Sequence, residues 1–514
     1  MRLFRNACTV LLIGILIFLI AGCKTVSTEP VQPTQQASDT PEPTPILLGD
    51  ASFPADTTEL KLVADPDDLE KLALFPGLKS VDLSGSTCYA EIRSFMAEHP
   101  DLDVFYTVCF DDQTVPCDAK TLSVSSLPDP SLLGYLPNLE SIEVSEPLSP
   151  AAVVQAADYA PGAKCVCSIK IEDTVFPSDV KELDLSGVSP DFCEDVLAVI
   201  PFLPNLTDIR LNPESGISSW PIDKADSLQS AKDGLTVTYT TEAFGVVFSL
   251  NDEVVSFNDI DLSEKKDELL ALLPHMHNIG RLDMEECGIP DEEMAALREQ
   301  FPSPKIVWRV HLKLYSCRTD SVMIRCSYQL ERWMLTNEDV VPLRYCNEVH
   351  YLDLGHNQIE SASFVQYMPE LEVCIVAVGP ITDISAIKNC PKLEYCEFLS
   401  GRVSDISSLA ACTELKHLNL SKNKITDITP LYGLTKLERL WISLNWSIPK
   451  EQIEEFKRRV PNCEVNFTAR DPTDEGWRYD RHYRIVPRYE KLREQFQYDR
   501  NIFYYTADSE YYVH

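Results

Sequence analysis

The sequence predicts an α/β solenoid, a chain of stacked coils with a parallel strand sheet, and two observations support this prediction. Five stretches in residues 349–448 repeat one apolar pattern with a constant period of 22 residues. Four longer modules in residues 51–312 repeat strand-like triplets in a shared order. A coil of this size cannot bury its apolar face alone, so successive coils must stack on one another.

The regular coils carry apolar residues at relative positions one, four and six. This spacing is typical of a short strand whose inward side chains stack on those of the next coil. The three positions are Val349, Leu371, Leu393, Leu415 and Leu437, then Leu352, Cys374, Cys396, Leu418 and Leu440, and then Leu354, Val376, Phe398, Leu420 and Ile442.

Each regular coil also carries a turn signal and a return signal. An inward Asn amide at position nine suits the backbone groups left free where the strand ends. Position nine is Asn357, Gly379, Gly401, Asn423 and Asn445, and Asp-Ile pairs follow at Asp383, Asp405 and Asp427. These motifs resemble the internalin-type leucine-rich repeat of Gram-positive surface proteins, over about a fifth of the chain. The resemblance implies a leucine-rich-repeat fold.

The longer modules in residues 51–312 are predicted to be irregular coils of the same architecture, with helices on the return side. Their first strands are expected at residues 60–62, 122–124, 183–185 and 260–262, and second strands follow 20 to 26 residues later. Hairpins are expected between modules, at residues 246–257 and 312–330. Residues 313–348 are predicted to be a hairpin and junction before the regular array.

The N-terminus predicts a lipoprotein signal peptide in residues 1–22. Arg2 and Arg5 precede an apolar run that ends in Ala21-Gly22-Cys23. This ending resembles a lipobox, which implies a diacylglyceryl group on Cys23 and a protein anchored at the extracellular side of the cell membrane. A plain secretion signal and an uncleaved anchor are the alternatives. Residues 23–50 are rich in Thr, Pro, Gln and Ser, which predicts a flexible linker.

The composition of the chain limits the classes of partner that it can bind. Its 80 acidic and 45 basic residues give a net charge of −35, which argues against nucleic acid as a partner. Its 17 cysteines suggest either disulfides or small core side chains. Cys374 and Cys396 fall at inward positions, which indicates that they are small core side chains rather than disulfide partners. The best disulfide candidates are Cys109 with Cys117 and Cys317 with Cys326, because each pair flanks an expected turn.

The sequence contains no motif for a phosphate loop, a dinucleotide fold, a zincin helix or a nucleophile elbow. His275 and His277 could chelate a metal on a strand, but a solvated turn explains the pair more simply. We therefore predict no catalytic site, no metal and no cofactor.

The outward residues of the regular strands are predicted to form a binding face. Tyr395, His417, Arg439 and Trp441 are neighbours there and have the composition that interface hot spots favour. Val373 and Val378 lie beside them, and exposure of these apolar side chains to water would be energetically unfavourable. The predicted face is Tyr351, Asp353, Ile375, Tyr395, Glu397, His417, Asn419, Arg439 and Trp441.

Residues 449–514 hold many Tyr, Phe, Trp and Arg residues and are predicted to be a C-terminal aromatic cap. Such a segment could cover the last coil, fold back over the predicted face, or form an aromatic platform for a ligand. The alternatives lead to different binding sites.

The function predicted from these features is that of a lipid-anchored cell-surface leucine-rich-repeat protein that binds an unknown protein or glycan. A solute- or glycan-binding lipoprotein, an enzyme with its site in the irregular modules, and a structural envelope protein are the alternatives. The oligomeric state is not predicted.

Overall fold

The computed structural model describes residues 45–111, 113–214, 216–327, 331–474 and 476–511. The predicted signal peptide, Cys23 and most of the predicted linker lie outside the described residues. The chain divides into two compact units, one ending at Thr107 and the other beginning at Val108.

The first unit contains a β-hairpin and one three-stranded parallel sheet. The middle residues of the sheet strands, Leu60, Val81 and Val104, are buried. Helix α1 begins where the Asp65 carboxylate accepts a hydrogen bond from the Asp68 amide, at 2.9 Å. The elements are β1 (Ile46–Leu48), β2 (Ala51–Phe53), β3 (Glu59–Lys61), α1 (Pro66–Leu72), β4 (Ser80–Asp82), α2 (Tyr89–Glu98) and β5 (Asp103–Phe105). Strand β1 therefore lies within the segment predicted as linker.

The second unit begins with a hairpin and three modules. Each module has three parallel strands, followed by an antiparallel hairpin. The strands are β6 (Thr107–Phe110), β7 (Gln113–Pro116), β8 (Thr121–Val124), β9 (Ser141–Val144), β10 (Lys164–Val166), β11 (Ser168–Ile171), β12 (Thr174–Pro177), β13 (Glu182–Asp184), β14 (Asp208–Arg210), β15 (Thr236–Thr238), β16 (Thr240–Ala243), β17 (Val246–Ser249), β18 (Val254–Ser256), β19 (Arg281–Asp283), β20 (Lys305–Val307), β21 (Arg309–Leu312) and β22 (Tyr315–Arg318).

Helices on the return side connect these strands, as predicted. The α-helices are α3 (Pro150–Tyr159), α4 (Cys193–Val199), α5 (Ile222–Gln229), α6 (Lys266–Leu272) and α7 (Asp291–Gln300). Short 3-10 helices span Pro130–Tyr135, Pro190–Phe192, Ile200–Phe202 and Leu273–Met276.

Three predicted positions in this region are wrong. The fourth module begins at β18 rather than at residues 260–262, and the hairpin expected at residues 246–257 is instead β16 with β17, which turns at Phe244-Gly245. Phe244 and Gly245 both have positive φ, 56° and 84°, which suits a tight two-residue hairpin turn. The expected hairpin at residues 312–330 is instead β21 with β22.

The regular array forms a sheet of eight described strands, in the order β29-β28-β27-β26-β25-β24-β23-β30. Its parallel strands pair in the predicted register, since Leu352 lies opposite Cys374, which lies opposite Cys396. The sheet begins at Ser321, inside the segment predicted as a junction. Its strands are β23 (Ser321–Arg325), β24 (Tyr351–Asp353), β25 (Val373–Ile375), β26 (Tyr395–Glu397), β27 (His417–Asn419), β28 (Arg439–Trp441), β29 (Glu464–Asn466) and β30 (Tyr504–Thr506).

The return side of the regular coils is made of 3-10 helices, and α-helices follow only after the last 22-residue coil. The 3-10 helices are Glu331–Trp333, Val341–Tyr345, Ser363–Tyr367, Ser385–Asn389, Ser407–Ala411 and Thr429–Gly433, and the α-helices are α8 (Lys450–Arg459) and α9 (Pro487–Gln495). Asp383, Asp405 and Asp427 each accept a hydrogen bond from the amide two residues later, at 2.8–2.9 Å, where a 3-10 helix starts.

One hydrophobic core runs from Phe248 to Val460. The fourth module and the regular array therefore share a core. Asn357 lies beneath the turn of its coil, as predicted: its side-chain amide donates to the carbonyls of Cys326 and Leu354, both at 2.9 Å, and accepts from the Leu335 amide at 2.7 Å.

Steric crowding explains why two coils have glycine rather than asparagine at position nine. A Cβ on Gly379 would lie 2.5 Å from the Asn357 carbonyl oxygen. A Cβ on Gly401 would lie 2.8 Å from the Asn423 side-chain oxygen, which accepts a hydrogen bond from the Val403 amide instead. The Asn of a neighbouring coil thus uses the space that a side chain at these positions would need.

The cysteines of the regular coils are small core residues, as predicted for Cys374 and Cys396, which are fully buried. No disulfide joins two cysteines within the described ranges. The expected pairing of Cys317 with Cys326 is wrong, because both are free thiols and the sulfur of Cys317 lies 3.9 Å from that of Cys346 instead. The reason is that β23 leaves the expected hairpin and joins the large sheet.

Candidate functional site

The structure brings all nine predicted face residues to one face of the regular sheet. They occupy the first and third positions of strands β24 to β28, whose middle residues point into the core. The parallel register places Tyr395 beside His417 and His417 beside Arg439. The structure therefore places these side chains next to one another on one face of the sheet.

This face is covered, because the C-terminal segment folds back over it, which is one of the three alternatives given for that segment. Residues 467–511, called here the C-terminal strap, lie over it. Trp477, Leu492, Phe496 and Tyr505 of the strap form a second hydrophobic cluster with outward residues of the sheet. Those sheet residues are Tyr351, Val373, Ile375, Tyr395, Leu399 and Trp441, together with Val322, Met323 and Ala377. Exposure of a row of apolar side chains to water is unfavourable, and here the strap of the same chain buries them.

The strap crosses the sheet from one edge to the other. It leaves from β29 at one edge and ends as β30, which pairs antiparallel with β23 at the opposite edge. The 449–514 segment therefore divides into two parts. Residues 450–466 add one more coil, with Phe456 in the shared core, and the remainder folds back over the face.

A buried ion pair joins the strap to the sheet. Glu397 is fully buried, and its carboxylate pairs with the Arg478 guanidinium and accepts from the Trp477 indole at 2.7 Å. It also accepts from the Tyr395 hydroxyl. Burial lowers the pKa of Arg478, but the charge and hydrogen bonds of Glu397 outweigh burial and hold that pKa well above its ordinary value. The Arg478 guanidinium is therefore charged in the folded protein.

Arg439 holds the strap in a second way. Its guanidinium donates to the Gly476 carbonyl at 2.8 Å and lies 4.3 Å from the centre of the Trp477 ring. It also donates to the His417 imidazole at 3.4 Å. Burial, followed by the Arg439 charge, lowers the pKa of His417 to about 3, so the imidazole is neutral at ordinary pH. Within the described residues, the Nη2 of Arg439 and the indole nitrogen of Trp441 are buried without a hydrogen-bond partner.

Asp353 and Asn419 also contact the strap. The Tyr498 hydroxyl donates to the Asp353 carboxylate at 2.6 Å, and the Asn419 amide donates to the Pro472 carbonyl at 2.8 Å. Most of the side chains predicted for an external partner are therefore engaged by the chain itself.

The second and third modules present a sheet face that is open. The middle residues of their strands, such as Ile142 and Ile209, are buried. The outward residues are polar except for Val166, and almost all are exposed; the polar ones are Thr121, Ser123, Ser141, Glu143, Lys164, Glu182, Asp184, Asp208, Arg210, Thr236 and Thr238. Arg210 and Asp184 form an ion pair across neighbouring strands. Sequence reasoning did not name this face, although the polar-apolar-polar triplets were visible.

The sheet face of the fourth module is intermediate between the covered face of the regular coils and the open face of the second and third modules. Arg318 pairs with Asp283 at 3.2 Å, Glu285 at 3.3 Å and Asp320 at 2.9 Å. The end of the strap reaches this network, because Asp508 pairs with Arg281 at 2.9 Å.

The described ranges hold neither a metal-binding cluster nor a membrane-spanning helix. No cluster of three or more His, Cys, Asp or Glu side chains there is arranged to hold a metal ion. His275 and His277 both approach Asp226, at 3.0 and 3.6 Å. No helix in the same ranges combines the length and hydropathy needed to cross a bilayer.

The repeats match a family model described as "Leucine Rich repeats (2 copies)" over residues 413–457. With the sheet register above, this match defines a leucine-rich-repeat solenoid. No curated protein matches the chain.

Solved structures similar to the chain include two internalins and one leucine-rich-repeat protein. An internalin from Listeria monocytogenes is 20% identical, with 70% of this chain and 84% of that chain covered and a TM-score of 0.27. A second internalin from Listeria monocytogenes is 14% identical, with 49% and 87% covered and a TM-score of 0.22. A leucine-rich-repeat protein from Leptospira interrogans is 17% identical, with 77% and 92% covered and a TM-score of 0.24.

Proposed function

We propose that this protein is a lipid-anchored, cell-surface leucine-rich-repeat protein that binds a macromolecular partner. The proposal includes no catalytic activity. The observation that carries it is the open, polar sheet face of the second and third modules, within residues 121–238. Parallel strands there hold exposed charged and hydroxyl side chains on a rigid, well-packed support, as a recognition surface requires.

The face of the regular coils is a less accessible alternative. Its nine predicted residues lie under the C-terminal strap, so we propose that they contact a partner only in a state in which the strap has left the sheet. The two faces give different expectations for the same binding experiment.

The test is a pull-down from cell-envelope and host-type extracts with residues 24–514 as bait. In one variant, Asp184→Ala and Arg210→Ala remove the exposed ion pair of the open face. The matched control carries Lys266→Ala and Glu293→Ala, which remove an exposed ion pair from the helical side. We expect the first variant to lose affinity for a specific partner by about tenfold or more, and the control to retain it.

A strap-locked variant separates the two faces. Ser321 and Thr506 lie opposite each other in the β23–β30 pair, so Ser321→Cys with Thr506→Cys would tether the strap. Binding that survives this tether supports the open face. Binding that the tether abolishes, and reduction restores, would place the partner under the strap instead. A bait that captures no partner in either form would favour a structural role in the envelope.

The anchor is tested separately with Cys23→Ser. We expect the unaltered protein to partition with membranes and its first tryptic peptide to carry the mass of a diacylglyceryl group. The Cys23→Ser protein should then lose both properties. A variant that stays in the membrane with an intact N-terminus would instead support an uncleaved anchor.

A further inference from the structure

A pocket of about 370 Å³ lies between the C-terminal strap and the regular sheet. Its apolar lining comes from Ile375, Ala377, Val378 and Leu399 of two successive coils. Its polar lining comes from both layers, so the pocket exists only because the strap folds over the sheet. The volume falls within the range of small-molecule sites, near its lower end.

The two charged side chains that line this pocket, Asp353 and Arg478, already have hydrogen-bond partners within the protein. Asp353 accepts hydrogen bonds from the Tyr498 hydroxyl at 2.6 Å, the Ser327 hydroxyl at 2.8 Å and the Gly355 amide at 2.9 Å. Arg478 is paired with the buried Glu397. A charged ligand would be desolvated here and would have to displace these contacts to reach either charged group, which is unfavourable.

The hydrogen-bonding capacity that remains belongs to neutral groups. Within the described residues, no hydrogen bond is made by the ring nitrogens of His356 or by the hydroxyl of Tyr489, and both side chains line the pocket. Burial lowers the pKa of His356 and raises that of Tyr489. The first is therefore an imidazole with one donor and one acceptor, and the second is a phenol.

The lining combines an apolar floor, two tyrosine rings and neutral polar groups. The Tyr489 and Tyr498 ring centres lie 6.3 Å apart. A pyranose ring has the complementary chemistry, with an apolar C–H face and a rim of hydroxyl groups that donate and accept. We propose that this pocket binds one neutral, polyhydroxylated unit of monosaccharide size, either free or at the end of a glycan.

A neighbouring pocket extends this proposal. It has a volume of about 350 Å³ and shares Ser327 and Tyr498 with the first pocket. A second sugar unit would have room there, so a disaccharide is a useful probe beside a monosaccharide.

The experiment uses residues 24–514 with glucose, galactose, N-acetylglucosamine, cellobiose and maltose as neutral probes, and glycine and glucuronate as charged comparison ligands. Saturation-transfer NMR detects binding and calorimetry measures it. We expect at least one sugar to bind with a dissociation constant of about 1 mM or tighter. Tyr489→Phe and His356→Ala should each lower the affinity for that sugar by about fivefold. Tyr483→Phe, at an exposed position of the strap, is the matched control and should leave affinity unchanged.

Tyr489→Phe keeps the ring and removes only the hydroxyl, so it remains informative if His356→Ala perturbs folding. Tighter binding of a monosaccharide indicates a free sugar, and tighter binding of a disaccharide indicates the end of a glycan. The proposal is overturned if no probe binds at about 10 mM. It is also overturned if Tyr489→Phe has no effect, or if glycine or glucuronate binds more tightly than every neutral sugar. The pull-down on the open face does not depend on any of these outcomes.

Discussion

The regular coils and the longer modules are built from the same kind of short parallel strand, but the outward sheet face is covered in the regular coils and open in the second and third modules. In both, the middle residue of each short parallel strand is buried in the core, as Leu352 and Ile209 are. The outward neighbours differ: Tyr351 and Trp441 are apolar and covered, whereas Thr121 and Asp208 are polar and exposed. The outward row is therefore part of a covered layer beneath the strap in the regular coils and an open surface in the second and third modules.

This difference separates the stability of the molecule from its recognition surface. The covered face carries a second hydrophobic cluster and buried charges, so changes there should affect folding. The open face carries exposed side chains, so changes there should affect only binding. Four experiments test that division, in order of decreasing effect on stability.

The largest effect is expected at the buried ion pair of the covered face. Glu397→Ala leaves the Arg478 guanidinium buried without its partner, which typically costs about 3–5 kcal/mol. Urea unfolding, followed by tryptophan fluorescence, measures the loss. Glu143→Ala on the open face is the control and should change stability by less than about 0.5 kcal/mol. Equal effects in the two variants would contradict the division between the faces.

Apolar residues on the two faces give the next comparison. Ile375 is 1% exposed beneath the strap, and Ile375→Ala should cost about 3 kcal/mol by leaving a cavity. Val166 is 43% exposed in the second module, and Val166→Ala should cost about 0.5 kcal/mol or less. The same urea measurement applies. A small cost at Ile375 would show that the strap packs loosely in solution.

Acidification should weaken the covered face through His417. Its folded-state pKa is depressed to about 3, so the unfolded chain binds a proton more readily, and stability is lost as the pH falls below about 6.5. Between about pH 7 and pH 5 the loss from this one group should approach about 2 kcal/mol. His417→Gln should lose that much less stability over the same range. Identical pH dependence in both proteins would show that His417 is not held neutral by the strap.

The smallest effect on stability is expected at the exposed ion pair of the open face. Removing Asp184 and Arg210 together should change the unfolding free energy by less than about 0.5 kcal/mol, because exposed pairs contribute little. The same variant should nevertheless lose the partner in the pull-down. A stability loss as large as that of Glu397→Ala would mean that this face is structural.

Much of the fold could be predicted from the sequence, because it repeats. The inward positions, the Asn357 amide beneath its turn and the core role of Cys374 all follow from the 22-residue period. The modules were placed less accurately. The start of the fourth module was displaced because residues 254–256 and 260–262 both read as strands, and only the turn at Phe244-Gly245 decides between them.

The candidate site was predicted only in part. The nine face residues do lie together, because the register follows from the period. Their exposure could not be predicted, since it depends on where a distant segment folds. The aromatic content of residues 477–505 was a visible signal, but it was equally consistent with a cap over the last coil.

The sequence by itself determined the local, repeating interactions of this protein. Each coil contacts its neighbours at a separation of 22 residues, so one periodic pattern specifies the strands, turns and core. Tertiary structure alone decided which face is covered. The contacts responsible, such as Tyr498 with Asp353 at a separation of 145 residues, have no period and depend on complementary shape and charge across the whole sheet.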